Sequence, residues 1–228
     1  AGQKLEKSDK KRIKEDVVSE FLDKAFPKEK EIDIFIDLKT GLVFTGASSE
    51  TIAENCFALI RKVLGTFPAA PLIYENPIET ILNNIFLNDG VQLSKSKLTI
   101  ALKFKLTETD TVTSSITNNF ASCSLRSLQD LVQEKQLVIN QLELFDAENK
   151  MSFIIVAPKL SSNNSCTIKA IQTNLIEQMN EYTAGQEGAS DEEKEKIDES
   201  CRQFTSAHLL KTMLKITENT SEMFGGVL

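Results

Sequence analysis

The amino-acid sequence predicts an α+β protein with antiparallel sheets and flanking helices. Some segments repeat apolar residues near the helical period of about 3.6, whereas others alternate apolar and polar residues as strands do. In the second half, strand-like segments follow each other with only short turns between them, which is typical of an antiparallel meander. The chain has 228 residues, of which 41% are hydrophobic and 26% charged, and such a chain can bury a globular core.

The N-terminal region is predicted to begin with a helix and a hairpin. Apolar residues recur near the helical period over residues 3–26, and Pro27 ends this helix because proline disfavours helical backbone at the residue before it. Residues 32–37 and 42–44 then read as two strands joined by a turn at residues 39–41. One face of this hairpin is more apolar than the other.

Two further helices are predicted on either side of a proline-bounded connection. Ser48 or Ser49 can cap the first of them, which ends at Gly65. Its predicted buried stripe consists of Ile52, Cys56, Leu59, Ile60 and Val63. Asn76 is a good N-cap for the second, and Pro77 suits its first helical position, where the missing N–H costs nothing.

The middle of the chain is predicted to form an antiparallel sheet. Residues 91–106 alternate as a strand, whereas residues 107–124 are rich in serine, threonine and asparagine and read as a long loop or an irregular insertion. A short helix is predicted over residues 125–135. Three strands then form the meander, over residues 137–145, 153–156 and 167–171.

The C-terminal region reads as two helices joined by a polar linker. A helix is predicted over residues 173–182, a linker over residues 184–190, and then a long final helix that ends near Gly225. Ser190 and Glu193 have the spacing of a capping box for that final helix. The predicted division of the chain has three parts: residues 1–90, residues 91–183 and residues 184–228.

The sequence contains no pattern that is typical of an enzyme. None of the nine glycines stands in a GxxxxGK or GxGxxG phosphate loop, and the carboxylates show no grouping typical of a metal-dependent hydrolase. Asp33 and Asp37 share one face of a predicted strand, where a solvated surface is favoured over a shared metal. His208, the one histidine, is interpreted as a packing or surface residue. We therefore expect no catalysis, no metal and no cofactor.

Composition and charge restrict the environment and the partners. No apolar run approaches the about 20 residues needed to cross a bilayer, so no membrane partner is expected. The four cysteines are widely separated, which fits a reducing cytoplasm better than a disulfide framework. The formal net charge of −7 argues against a simple basic DNA-coating protein, although a ring or cleft can be basic inside and acidic outside.

Two groups of basic residues are candidate contacts for DNA phosphates. The members of one group have odd numbers and fall on one side of a continuous strand: Lys95, Lys97, Lys103 and Lys105. The other group lies on the first predicted helix: Lys4, Lys7, Lys10 and Lys14. Acidic residues intersperse with this second group, so a solvated helix with local ion pairs is the alternative. Phe26 is expected either to seat in a partner's pocket or to be buried in the core of its own chain.

Three stretches of the sequence resemble a known family. Residues 59–79 read LIRKVLGTFPAAPLIYENPIE, residues 4–17 read KLEKSDKKRIKEDV, and residues 34–43 read IFIDLKTGLV. The three stretches resemble segments of the bacterial RdgC family of recombination-associated proteins. The first resembles the family's leucine-arginine-lysine and glutamate-asparagine-proline-isoleucine-glutamate runs. The second resembles its lysine-rich helix, and the third its strand–turn–strand. The match is good over residues 3–88 and looser beyond. It begins well inside the family pattern, so the N-terminal portion of the usual protein is expected to be missing.

The resemblance implies an elongated, multi-part protein that forms a homodimer closing into a ring around double-stranded DNA. It also implies sequence-independent binding that restrains RecA-dependent recombination, in a cytoplasmic, nucleoid-associated protein. The alternative is a protein–protein interaction module that regulates recombination without touching DNA, which the acidic net charge favours.

The resemblance also assigns roles to particular residues. The lysines of the first helix fall where the family has lysine, and Arg61 and Lys62 match the family's arginine-lysine pair. These residues are therefore implied contacts of DNA. Phe26 lies in a phenylalanine-containing turn that the family shares, which implies a place in the dimer interface.

Overall fold

The computed structural model describes residues 7–22, 26, 30–108, 115–119, 125–135, 137–158, 164–184 and 190–228. The chain divides into two compact units. The N-terminal unit comprises Ala1–Ile36 and Val43–Phe67, and the sheet unit comprises Asp37–Leu42 and Pro68–Leu228. The described residues form six helices and two antiparallel sheets, of two and six strands, which confirms the predicted α+β class.

The first elements are two helices and a hairpin, in the predicted order. They are α1 (Lys7–Leu22), β1 (Ile34–Asp37), β2 (Leu42–Thr45) and α2 (Glu50–Leu64). In the hairpin turn the Gly41 N–H donates to the Asp37 carbonyl oxygen at 2.8 Å, and Gly41 has a φ of 75°, which glycine adopts without strain. The Asp37 carboxylate accepts a hydrogen bond from the Thr40 hydroxyl, which lowers the pKa of Asp37. The Asp37 carboxylate therefore stabilises the hairpin turn.

The ends of α2 are those that the sequence predicts, but its buried stripe is not. The Ser49 hydroxyl oxygen accepts a hydrogen bond from the Ile52 N–H at 3.4 Å, and Gly65 ends the helix with a φ of 81°. The predicted stripe is wrong, because no residue of α2 is buried and Leu59 and Val63 are 66% and 82% exposed. Periodicity identifies the apolar face of a helix, but it does not show whether another element covers that face.

The sheet unit combines a six-stranded sheet with four helices. The strands are β3 (Gly90–Gln92), β4 (Lys97–Glu108), β5 (Ser115–Asn119), β6 (Leu137–Asp146), β7 (Met151–Val156) and β8 (Thr167–Thr173). The helices are α3 (Ile78–Leu87), α4 (Leu125–Lys135), α5 (Leu175–Thr183) and α6 (Asp191–Met223). The predicted meander is confirmed as β6, β7 and β8, and α4 has the predicted bounds.

The strand β4 connects the two sides of this sheet. It pairs with β6, and it also pairs with β3 near its start and with β5 near its end. The prediction of a loop or irregular insertion over residues 107–124 is wrong in part, because β4 continues to Glu108 and residues 115–119 form β5. The polar composition of this stretch concealed a strand whose β-branched residues, Ile116 and Thr117, suit a sheet.

A β-bulge in β6 determines which of its residues face the core. Lys105 of β4 pairs with Gln141, whereas Leu106 pairs with Ile139, so β6 has one extra residue at this point. Before the bulge the odd-numbered residues of β6 are buried, and after it the even-numbered apolar ones are buried. The extra residue thus keeps apolar side chains on one face although their spacing changes.

The helices α3, α4 and α6 cover one face of the sheet and form the core with it. The largest fully buried side chains come from α3, β4, β7 and the end of α6: Phe86, Phe104, Phe153 and Phe224. The predicted capping box at the start of α6 is confirmed. The Ser190 N–H donates to Glu193 Oε2 at 2.8 Å, and the Glu193 N–H donates to Ser190 Oγ at 3.4 Å.

The start of α3 differs from the prediction. Asn76 is not the N-cap: Pro77 occupies that position with a ψ of 118°, and the helix begins at Ile78. The side chain of Asn164 supplies the cap, since its Oδ1 accepts a hydrogen bond from the Ile78 N–H at 3.2 Å. Asn164 Nδ2 also donates to the carbonyl oxygens of Tyr74 and Asn76, at 2.7 and 2.6 Å. A distant residue therefore satisfies the orphan donor that local capping leaves.

Candidate nucleic-acid interface

Lysines of β4 lie on the face of the sheet that is turned away from the core. The buried residues of β4 are even-numbered: Leu98, Phe104 and Leu106. Since successive side chains of a strand point to opposite faces, the odd-numbered residues lie on the other side. Lys97 and Lys103 are exposed there, and Lys105 is half-buried. Three of the four predicted strand lysines therefore share one face.

Lys169 of β8 lies on the same face, and its spacing in the sequence does not connect it with the other lysines. It pairs with Ile154 of β7, and Ile154 pairs with Glu143 of β6, at positions that alternate with the buried residues of those strands. Neighbouring strands are about 4.8 Å apart, which places Lys169 about 14 Å across the sheet from Lys103. Sequence reasoning missed Lys169 because β6 and β7 separate β4 from β8. We call Lys97, Lys103, Lys105 and Lys169 the lysine face.

One acidic side chain occupies this face among the described residues of the strands, and it is buried. Glu143 is 5% exposed, and its Oε2 accepts a hydrogen bond from the backbone N–H of Lys103 at 3.0 Å. The bond lies where the β4–β6 register shifts between Ile100 and Phe104 and the ladder is interrupted. Glu143 therefore replaces a ladder acceptor and positions the backbone that carries Lys103.

Lys95 is separated from the lysine face, which corrects the prediction that all four strand lysines share one side. It precedes β4, and its ammonium group lies 2.6 Å from Glu218 Oε1 of α6. That contact raises the pKa of Lys95 and, together with Lys215, lowers the pKa of Glu218. The two side chains are 69% and 45% exposed, so the pair stabilises the fold only weakly. It nevertheless directs the Lys95 charge towards α6.

The basic residues of the N-terminal unit have mixed surroundings. Lys7, Lys10 and Lys14 are exposed on α1, which has no buried residue, and Lys4 lies outside the described residues. On α2 the Arg61 Nε donates to the Phe67 carbonyl oxygen at 3.1 Å, and its guanidinium pairs with Glu54 at 3.4 Å. Lys62 is exposed. Arg61 thus helps to hold the end of α2, whereas Lys62 presents its charge to solvent.

Large apolar side chains are exposed on the N-terminal unit. Phe26 is 97% exposed, so it is not buried in the core of its own chain. Along α1 the apolar residues Ile13, Val17 and Phe21 recur every fourth position and are 44%, 46% and 56% exposed. Exposed apolar stripes of this kind are typical of surfaces that bind another protein.

The described residues contain neither a metal-binding cluster nor a membrane-spanning helix. Among them, no group of three or more histidine, cysteine, aspartate and glutamate side chains is arranged to hold a metal ion. Of the helices in the described part of the chain, none is both long enough and apolar enough to cross a bilayer.

Comparisons with known proteins agree with one another. The family model described as "Putative exonuclease, RdgC" matches residues 1–219. The chain is 29% identical over 233 residues to the recombination-associated protein RdgC of Haemophilus influenzae (strain PittGG), covering 99% of this chain and 68% of that protein. It is 27% identical over 237 residues to the RdgC protein of Pasteurella multocida (strain Pm70), covering 99% and 67%. A shorter match to that of Salmonella paratyphi B (strain ATCC BAA-1250 / SPB7) is 40% identical over 81 residues, covering 36% and 27%.

Proposed function

This chain belongs to the RdgC family, and from that premise we propose that it acts in DNA recombination. The relatives are named recombination-associated proteins, whereas the family description names an exonuclease. The finer proposal is that the protein binds double-stranded DNA without regard to sequence, forms a dimeric ring around it, and modulates RecA-dependent recombination. In this proposal it is a cytoplasmic protein associated with the nucleoid, and it binds DNA without cleaving it.

The observation that supports DNA binding is the lysine face. The chain carries a formal net charge of −7, yet the described residues of this face include four lysines and one buried glutamate. The strand from Lys97 to Lys105 extends about 26 Å, and the lysine face is about 14 Å wide. Those dimensions suit contact with phosphates on both sides of a groove about 12 Å wide.

Such a surface would bind through charge rather than through base reading. Lysine is a flexible point charge that contacts phosphate oxygens without a fixed geometry. Each phosphate that is neutralised releases condensed counterions, which favours binding at low salt and makes it independent of sequence. The exposed lysines of α1 and Lys62 would add contacts of the same kind. Phe26 is proposed as a dimer contact because it is an exposed aromatic residue.

A matched set of charge variants tests the DNA contact. Fluorescence anisotropy with a duplex of about 30 base pairs should show weaker binding by Lys103→Gln/Lys105→Gln/Lys169→Gln, with a salt slope reduced by about 1 for each phosphate that is no longer neutralised. The control neutralises three other exposed lysines, Lys30, Lys39 and Lys196, and should bind as the wild type does. Equal affinity of both triple variants would refute the lysine face as the DNA contact.

Three additional assays address assembly, the effect on recombination, and catalysis. Size-exclusion light scattering should show a dimer whose dissociation constant rises on Phe26→Ala, and added protein should slow RecA-dependent strand exchange on duplex substrates. The same duplex incubated with Mg²⁺ or Mn²⁺ should keep its length. Metal-dependent shortening would instead favour the exonuclease that the family description names.

A second candidate function is a protein–protein interaction module that regulates recombination without touching DNA. The exposed apolar stripe of α1 favours it, together with the acidic net charge. Absence of salt-sensitive DNA binding, combined with an effect on strand exchange, would distinguish this function from the first.

A further inference from the structure

An open cleft of about 810 Å³ lies in the sheet unit, apart from the lysine face. The turn between β6 and β7, the start of α5 and the middle of α6 form its walls. The volume lies within the range of about 300–1,000 Å³ that is typical of small-molecule sites. Its lining is mixed, with apolar side chains such as Met151 and Leu214 beside amide and ammonium groups.

Three lysines line this cleft in a protein that is acidic overall. They are Lys150 from the turn and Lys211 and Lys215 from α6. Lys215 is paired with Glu218 at 3.1 Å, and Glu218 also binds Lys95, so this carboxylate is shared by two ammonium groups. Within the described part of the chain Lys150 and Lys211 have no ion-pair partner, although Glu148 lies on the cleft as well. The cleft therefore has an excess of positive charge.

His208 adds a polar atom without a partner. It lines the cleft and stacks on Phe204, with ring centroids 6.3 Å apart. Its Nε2 is buried and has no hydrogen-bond partner among the described residues. A buried polar atom left without a hydrogen bond carries a free-energy cost, so such atoms are rare in native proteins and call for an explanation. A ligand that offers an acceptor to this nitrogen would remove the cost.

The walls of the cleft are fixed relative to each other by a buried polar network. The Asp146 carboxyl group accepts hydrogen bonds from the backbone N–H groups of Glu148 and Asn149, both at 3.1 Å, which shapes the turn that carries Lys150. The same carboxyl group accepts a bond from Asn219 Nδ2 of α6 at 3.3 Å. The lysine-bearing turn and α6 are therefore held together before any ligand binds, which reduces the entropy cost of binding.

From these observations we propose that the cleft is a nucleotide-binding site in which Lys150 and Lys211 bind the phosphate group. Rotation of the His208 side chain, which lines the cleft, lets its Nε2 donate to an acceptor on the same ligand, and the apolar wall with Phe204 accommodates the base. Two ammonium groups and an N–H donor match the several acceptor oxygens of a phosphate better than they match a carboxylate. The phosphate belongs either to a free nucleotide or to the end of a DNA strand, and the site does not depend on duplex binding by the lysine face.

Because His208 is the one histidine, its imidazole NMR signals report on the cleft without ambiguity. The full chain is titrated with deoxyadenosine 5′-monophosphate at constant pH and at an ionic strength held constant with chloride. We expect a saturable shift of the His208 signals, and binding at least about tenfold weaker for deoxyadenosine, which lacks the phosphate. A shift that does not saturate, or equal binding of the nucleoside, would overturn the proposal.

Charge variants complete the test. Lys150→Gln/Lys211→Gln should bind the nucleotide at least about tenfold more weakly, because both cations of the site are removed. Lys39→Gln/Lys196→Gln, which neutralises two exposed lysines outside the cleft, should bind it normally. Both double variants should keep the wild-type thermal midpoint, which shows that they fold. Unchanged binding by Lys150→Gln/Lys211→Gln would overturn the proposal.

Two further experiments distinguish a free nucleotide from a strand end, and the nucleotide site from the proposed DNA-binding face. A short single strand with a 5′-phosphate is compared with the same strand without it: a shift that needs the phosphate identifies a strand end, and a shift with the free nucleotide alone identifies a free ligand. The variant Lys103→Gln/Lys105→Gln/Lys169→Gln should bind the nucleotide as the wild type does. Failure of the nucleotide site and failure of the DNA-binding face are therefore observed separately.

Discussion

Replacement of Asp146 by alanine should destabilise the sheet unit by about 3 kcal/mol. The side chain is fully buried and accepts hydrogen bonds from four N–H donors: two backbone N–H groups of the turn, Asn149 Nδ2 at 2.8 Å and Asn219 Nδ2 at 3.3 Å. Asn219 is itself 2% exposed, so its Nδ2 would lose this acceptor at a cost of about 1–3 kcal/mol, while its Oδ1 keeps the hydrogen bond from Ser96 Oγ. The turn donors are exposed and can bind water, so each contributes only about 0.5–1.5 kcal/mol.

Two control variants make the reasoning specific. Asp146→Asn keeps the size of the side chain and one acceptor oxygen, but it turns an N–H donor towards another donor. About half of the loss expected for Asp146→Ala is therefore expected for this variant. Asp130→Ala removes a carboxylate from the surface of α4 and should stay within about 0.5 kcal/mol of the wild type.

Equilibrium unfolding in urea, followed by circular dichroism, measures all three variants. A lower midpoint with an unchanged slope is the expected signature, since the slope reflects the surface exposed on unfolding. A loss for Asp146→Ala no larger than that for Asp130→Ala would refute the role of the network.

The remaining predictions concern the backbone, the pH dependence and the core. Gly90→Ala should lower the free energy of unfolding by more than about 3 kcal/mol, because a Cβ there would meet the Leu98 carbonyl oxygen and the φ of Gly90 is 135°. Gly41 has a φ of 75° and open space around it, so Gly41→Ala should lower the same free energy by about 1–2 kcal/mol in the urea assay. Burial raises the pKa of Tyr74 to about 12 and that of Cys166 to about 11, from 10.0 and 9.0. Because the unfolded chain ionises first, this pair of groups increasingly destabilises the fold as the pH rises from 9.0 towards 11 and 12, so the urea midpoint should fall over that range; a flat midpoint would contradict it. Leu82→Ala, at a fully buried position of α3, should cost about 2–5 kcal/mol, and a smaller loss would show that the site collapses around the cavity.

Local patterns in the sequence predicted the elements that local interactions define. The helix α4, the capping box of α6 and the meander could be predicted because their signals lie within a few residues of each other. The cap of α3 could not be predicted, because Asn164 lies 86 residues along the chain from Ile78, whose N–H donates to it. Its own signal, the second of two adjacent asparagines in a polar stretch, is indistinguishable from that of a turn residue.

The candidate site shows the same division between local and distant information. Alternation along β4 predicted the shared face of Lys97, Lys103 and Lys105, because the side-chain period of a strand is a local property. The place of Lys169 on this face depends on sheet order, and the separation of Lys95 from it depends on an ion pair with α6. Neither is encoded by spacing along a single element.

The salt dependence of duplex binding by the wild-type chain is the decisive measurement of DNA contact through the lysine face. If the four lysines of the lysine face each neutralise one phosphate, they contribute about −3 to −4 per chain to the slope of the logarithm of the association constant against the logarithm of salt concentration, so the measured slope should be at least that steep. The slope and the affinity should be the same for two duplexes of equal length and unrelated sequence. A slope near zero, or affinity that depends on the sequence, would contradict binding through this face.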